Sequence, residues 1–314
     1  MIKKYKISVP KSTLNNIYKK VRNFPWSATQ NMNGWEYGTN LNYLKSISKY
    51  WITKYNWKKF ENKINSFKNY KTKVEDINLH FIFEKSKNPN SKQLLLLHGW
   101  PGSITEFLDI IPRLAHPEKF GGKIEDGFDI IVPSLPGFGF SSQIKKALGP
   151  RKIGKILNKF MVKNLGYKNY FVQGGDWGAT IAGWIGLDSS KNCKGIHINC
   201  LPLRHPKGTK NIKERKWEKK FNFDQIMQEG YRTQQATKPQ TLSYAMIDSP
   251  VGTAAWILEK FHGWSDLKMG KIEKTFSKDE LLSNIMIYII TKSFNTASWT
   301  VSYTHLRAHE TCLD

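Results

Sequence analysis

The 314-residue chain is poor in residues that would staple or anchor it. Its three cysteines, Cys193, Cys200 and Cys312, form no CxxC pair, which excludes a disulfide scaffold and a cysteine-built zinc module. No apolar run approaches the ~20 residues of a membrane-spanning helix. The longest, Leu281 to Ile290, is interrupted by Ser283 and Asn284. The opening Met1-Ile2-Lys3-Lys4-Tyr5 is basic but is followed by no apolar stretch, so no signal peptide is legible. Acidic residues are scarce too, 25 against 49 Lys and Arg, for a net charge of +24. Aromatics are plentiful: 13% of the chain, with 11 Trp, excludes a disordered or fibrous polymer, because such rings need a packed interior. A cytoplasmic globular protein is the expectation.

The basic surplus is uneven. Residues 1–90 hold 18 Lys and Arg against 5 acids, so +13 of the +24 sits there. A basic stripe can serve nucleic acid or an anionic membrane surface. Here Lys outnumbers Arg 42 to 7, whereas proteins that read phosphate and bases lean on the fork of Arg. Compositional drift is the simpler reading; nucleic acid is not expected as a partner, and no membrane span is read in this chain, an anchor upstream of Met1 being left open.

Residues 10–90 read as a Lys- and aromatic-rich helical region. Pro10-Lys11-Ser12-Thr13 starts a stripe through Leu14, Ile17, Tyr18 and Val21; Tyr43, Leu44, Ile47, Tyr50 and Trp51 make a second, and Trp57, Phe60 and Ile64 a third. From residue 79 the pattern changes. Short apolar runs at Leu79–Glu84, Leu94–His98, Asp129–Pro133, Tyr170–Gln173 and Gly195–Asn199 read as strands. Helical stretches at 104–115, 152–165 and 178–188 alternate with them, which predicts a mostly parallel sheet covered on both faces. Beyond residue 202 strands give way to helices at 209–229, 240–247, 251–261 and 279–293, the pattern of a lid. The expected organisation is thus an N-terminal region over 1–90, a core over 91–202, a helical lid over 203–300 and a separate tail over 301–314.

Three segments carry chemistry. Gln173-Gly174-Gly175-Asp176-Trp177-Gly178 runs a strand straight into small-x-nucleophile-x-small and then a helix. This is the sharp turn that lifts a nucleophile above a sheet, with Asp176 in place of serine and glycines where a Cβ would crowd the turn. The following helix turns its N-terminal N–H groups toward the site, which favours an ionised carboxylate. Second, Leu94 to Leu97 leads into His98-Gly99-Trp100-Pro101-Gly102-Ser103, a loop placed to offer the backbone N–H of Trp100 as one oxyanion donor, with that of Trp177 as the other. His98 falls too early in the chain for the base and reads as support for the loop. Third, Pro133 to Ser141 is glycine-rich but lacks GxGxxG spacing and a Lys-Ser/Thr ending, so it is no nucleotide site; it reads as a tight loop at the pocket mouth.

Together these segments resemble the microsomal and juvenile-hormone type of epoxide hydrolase, across nearly all of residues 6–300. The resemblance extends to Phe24-Pro25, Gly34-Trp35-Glu36-Tyr37-Gly38, Tyr50-Trp51 and Tyr55-Asn56-Trp57 in the N-terminal region, and to Gly230-Tyr231, Gln235 to Thr241 and Asp248 to Gly252 in the lid. It implies an α/β-hydrolase fold with an N-terminal helical appendage and a helical lid. It implies that Asp176 opens an epoxide to form an ester, that Tyr231 protonates the alkoxide, and that Trp100 and Trp177 hold the second oxyanion. It also implies a hydrophobic epoxide and water as substrates, with no cofactor and no metal. Haloalkane dehalogenases share the Asp-Trp turn, but Tyr231 and the N-terminal region argue against that class. A non-catalytic binding protein is the remaining alternative.

Against this pattern two further strands, a second lid tyrosine, a catalytic acid and a late histidine are expected and not found. Val301 stands where the tyrosine belongs. Residues 301–314 resemble the conceptual translation of a sequencing-library adapter, so His305 and His309 are not assigned as bases. A chain so ended is expected to expose a sheet edge near Gly195–Asn199 and to be an inactive fragment that alkylates Asp176 once and stalls.

Overall fold

The computed structural model describes residues 1–200, 208–209 and 211–302. The 202/203 boundary, His305 and His309 lie outside the described residues, as does most of the 301–314 tail.

The chain begins with a short strand, β1 (Ile2–Lys4), and three helices, α1 (Lys11–Arg22), α2 (Leu41–Thr53) and α3 (Trp57–Asn65). Asn40 and Asn56 cap α2 and α3 by accepting N–H bonds from the first turn of each. The apolar stripes bury Leu14, Ile17 and Val21, then Leu44, Ile47 and Trp51, then Trp57 and Ile64. Two strands follow, β2 (Asn69–Val74) and β3 (Ile77–Glu84), joined by a tight turn in which Glu75 adopts φ 56°. The reading of residues 10–90 as helical therefore misses β2, and β1 lies ahead of it. Asn-Tyr-Lys-Thr-Lys-Val carries two lysines and no turn glycine, so its alternation is masked.

The remaining strands are β4 (Lys92–Leu97), β5 (Phe128–Pro133), β6 (Tyr170–Gly174) and β7 (Cys193–Ile198). One sheet runs β1-β2-β3-β5-β4-β6-β7, with β5-β4-β6-β7 parallel and the β1-β2-β3 end antiparallel. β7 is the outer strand, and several of its residues are exposed.

The expected helix over 104–115 is a 3₁₀ turn at Ile104–Phe107 and a short α4 (Ile111–Ala115), because Pro112 supplies no N–H to a continuous ladder. α5 (Pro150–Lys159) continues as one π-turn through Asn164, and α6 (Trp177–Asp188) packs on α5, β6 and β7. Above lie α7 (Ile212–Gln228), α8 (Gly230–Thr237), α9 (Pro239–Asp248) and α10 (Pro250–Gly263), then α11 (Lys278–Thr291) and α12 (Phe294–Ser302). Neither α8 as a separate helix nor α12 is evident from sequence periodicity.

The N-terminal helices grip this upper layer. Trp35 stacks on His262 at 3.8 Å, the Thr39 hydroxyl donates to Ala255 O, Tyr50 donates to Asp279, and Tyr55 bonds to Ser283 at 3.1 Å. Aromatics that carry the N-terminal resemblance are thus clamps on α10 and α11. None of the described helices is long and apolar enough to cross a membrane.

Candidate active site

The register of the central strands assembles the site. β4 and β6 pair in parallel with Leu97 opposite Gly174, so the loop after one strand lies beside the turn after the other. The approach is too close for side chains. A Cβ on Gly178 would stand 2.1 Å from Leu97 O, and one on Gly174 would stand 2.1 Å from Gly178 O. Asp176, between them, is forced to φ 50°, ψ −126°, a strained conformation for a residue with a side chain.

That turn aims the Asp176 carboxylate at two backbone donors. The Trp100 N–H donates to its Oδ1 at 2.8 Å, and the Trp177 N–H also donates to the carboxylate. Both hold the ionised form, yet the surrounding protein strips enough water to raise the Asp176 pKa to about 6. The residue nevertheless keeps an exposed side, so a reactant can reach it.

Tyr231, in the first turn of α8, lies flat against Trp100, with ring centres 5.1 Å apart and planes 4° from parallel. Trp264 meets both rings edge-on, 4.9 Å from Tyr231 and 6.1 Å from Trp100. Burial, followed by the negative charge of Asp176, holds the Tyr231 phenol above its usual pKa, so it keeps its proton at neutral pH. The four residues expected from sequence, Asp176, Tyr231, Trp100 and Trp177, thus come together around one carboxylate.

His98 does not join them. It is fully buried; its Nε2 accepts the Leu135 N–H at 3.1 Å, which leaves Nδ1–H to donate to Gly99 O at 3.1 Å. Burial pushes its pKa down to about 4, so it is a neutral strut. The glycine-rich Pro133–Ser141 loop is buried throughout, and its Leu135 N–H holds that strut. The Val301 side chain lies outside the described set.

The structure adds residues that pattern reading misses. Glu106 folds back into the oxyanion loop, receiving the N–H groups of Gly99 and Ser103, with its Oε1 where a Cβ on Gly102 would be. The protein around it and then the charge of Asp176 raise its pKa to about 8. Asp176 ionises first, so at neutral pH it carries the charge while Glu106 keeps a proton. α11 braces the same loop: Asn284 donates to Pro101 O at 2.7 Å and accepts from Ser103 Oγ at 2.7 Å, while Tyr288 donates to Gly102 O at 2.7 Å. A glutamate just after a glycine-rich loop was the only signal in the sequence; the α11 contacts span more than 180 residues and left none.

Residues 2–107 match the family model described as the epoxide hydrolase N terminus, and residues 92–273 match that of the α/β hydrolase fold. Epoxide hydrolase 1 of Oryctolagus cuniculus is 36% identical over 93% of the chain and 70% of its own length. The chain belongs to the epoxide hydrolase family. Juvenile hormone epoxide hydrolase 1 of Ctenocephalides felis is 33% identical over 98% of the chain and 71% of its own length. The crystal structure of the juvenile hormone epoxide hydrolase of Bombyx mori superposes with a TM-score of 0.88 at 30% identity, covering 100% of this chain and 79% of that one. The Aspergillus niger epoxide hydrolase gives 0.84 at 25% identity, with 97% and 79% covered. The chain spans about two thirds to seven tenths of the length of the curated relatives it matches.

Proposed function

We propose that this protein opens hydrophobic epoxides, with Asp176 as nucleophile and Tyr231 as acid. A carboxylate oxygen of Asp176 attacks one ring carbon; the C–O bond breaks, and the alkoxide takes the phenolic proton of Tyr231. Water then adds to the ester carbonyl, whose oxyanion the N–H groups of Trp100 and Trp177 receive; on collapse the ester C–O bond breaks, one proton of the water goes to the departing diol oxygen and the other returns to the Tyr231 phenolate, so that carboxylate and phenol are both restored. No cofactor enters either step. His98 cannot activate that water, because both its ring nitrogens are engaged.

The observation that carries the reading is a single strained aspartate that accepts two backbone donors and whose charge reaches the protonated phenol of Tyr231, itself stacked on Trp100. Intact-mass analysis after brief exposure to a hydrophobic epoxide such as styrene oxide tests it. One adduct should appear, on Asp176, and vanish in Asp176→Asn. Its rate of formation should fall ~tenfold per pH unit below about 6, as the carboxylate takes up a proton. An adduct on another residue, or one retained in Asp176→Asn, refutes the assignment.

A further inference from the structure

Lys260, on α10, is a charge in a place where charges are costly. It is 3% exposed, and its ammonium has one carboxylate, that of the adjacent Glu259, at 2.8 Å. Desolvating a lysine is tolerated only where other groups take over from water. Here two aromatic faces do so: its Nζ lies 4.8 Å from the ring centre of Tyr231 and 5.6 Å from that of Trp264. Tyr231 is therefore flanked by the Trp100 ring, a buried cation and the edge-on Trp264. The phenol responds electrostatically to Asp176, Arg232 and Glu229, whereas Lys260 meets the ring itself. Lys260 thus bears on where the ring stands.

We propose that Lys260 is a positioning residue: its ammonium, neutralised by Glu259, seats the Tyr231 ring against Trp100 and so keeps the hydroxyl over Asp176 during ring opening. This rests on the reading of Tyr231 as the acid. The lid is anchored to the oxyanion loop by an aromatic stack, and Lys260 keeps that stack in register.

A double-mutant cycle on the full chain tests it, with the rate of adduct formation on Asp176 from styrene oxide as readout. Lys260→Met should slow the step about tenfold in the wild-type background, the range expected of a desolvated cation–π contact. In a Tyr231→Phe background, where there is no hydroxyl to place, Lys260→Met should cost less than about twofold, a non-additivity that marks action through one group. Lys260→Arg, which keeps a cation on the ring, should recover most of the rate. If Lys260→Met does not fold, Glu259→Gln, which leaves the ammonium without its carboxylate, replaces it in the same cycle with the same expected coupling. Equal losses in the two backgrounds, or no loss in either, overturn the proposal. If Tyr231→Phe alone leaves adduct formation unchanged, the reading of Tyr231 as the acid fails first, and that result is distinct from either of the others.

Discussion

The nucleophile turn and the helices above it are held in opposite ways. At the turn, backbone meets backbone: Gly174, Gly178 and Leu97 approach so closely that no side chain fits between them. Above it, contact is made by side chains: Tyr231 stacks on Trp100, Trp264 meets both rings edge-on, and the Lys260 ammonium lies over Tyr231. Much of α7, one helix further out, faces solvent, with Trp217 63% exposed. The first arrangement permits one geometry. The second can be adjusted residue by residue, which suits a surface that must accommodate substrates.

The sharpest way to break this contrast is to add one carbon to the turn. Gly178→Ala puts a Cβ against the Leu97 carbonyl, which cannot move without β4. A loss on the order of 3 kcal/mol is expected from such overpacking, read as a large drop in melting temperature or a failure to recover soluble protein. A wild-type melt would mean that the turn is looser than its spacing implies.

In the upper layer the comparable change should spare the fold and strike the chemistry. Tyr231→Phe keeps the stacked ring and removes the hydroxyl, so adduct formation on Asp176 should slow ~100-fold, typical of one lost donor at a developing oxyanion. Thermal stability should barely change. A large stability loss would place Tyr231 among the packing residues instead.

Glu106→Gln sharpens the comparison within the loop itself. The folded-state pKa of Glu106 stands above its usual value, so the native state holds this proton where the unfolded chain has released it. This group therefore lowers stability as pH rises from about 4.5 toward 8, and its amide replacement does not titrate. The melting temperature of the variant should gain on wild type across that window, with little difference at its acid end. Parallel pH profiles would show that Glu106 ionises normally. The smallest effect belongs to Trp217→Ser on α7, expected within about 0.5 kcal/mol because the ring is 63% exposed and its stacking partner, Phe221, lies on the same helix.

The legibility of this protein in its sequence follows the same division. Asp176, Trp100 and Trp177 could be located because a strand, a turn and a helix succeed one another within a few residues, and turn chemistry is local. Tyr231 came through family resemblance alone, since its contacts to Trp100 and Trp264 leave no periodicity. β4 to β7 were legible as apolar runs, to within one or two residues at their ends. β2 was hidden by its lysines, and α8 by continuity with α7. Glu106 was missed because a lone glutamate in a first helical turn is ordinarily a plain surface charge; its turn toward the oxyanion loop, with one side still exposed, depends on the space that Gly102 leaves.

The bracing of residues 101–103 by Asn284 and Tyr288 also bears on how the protein is made. A loop whose supports lie so far along the chain cannot be finished when its own strand is. At ~5–20 residues per second, synthesis of the intervening stretch takes on the order of 10–40 s. Throughout that interval the nascent sheet carries a nucleophile turn and an oxyanion loop without α11 to brace them. Docking of α11 is then a late, long-range event with a high loop-closure cost. Catalytic competence should consequently trail the burial of the sheet during refolding, with the Trp100 N–H reaching Asp176 only when that helix arrives.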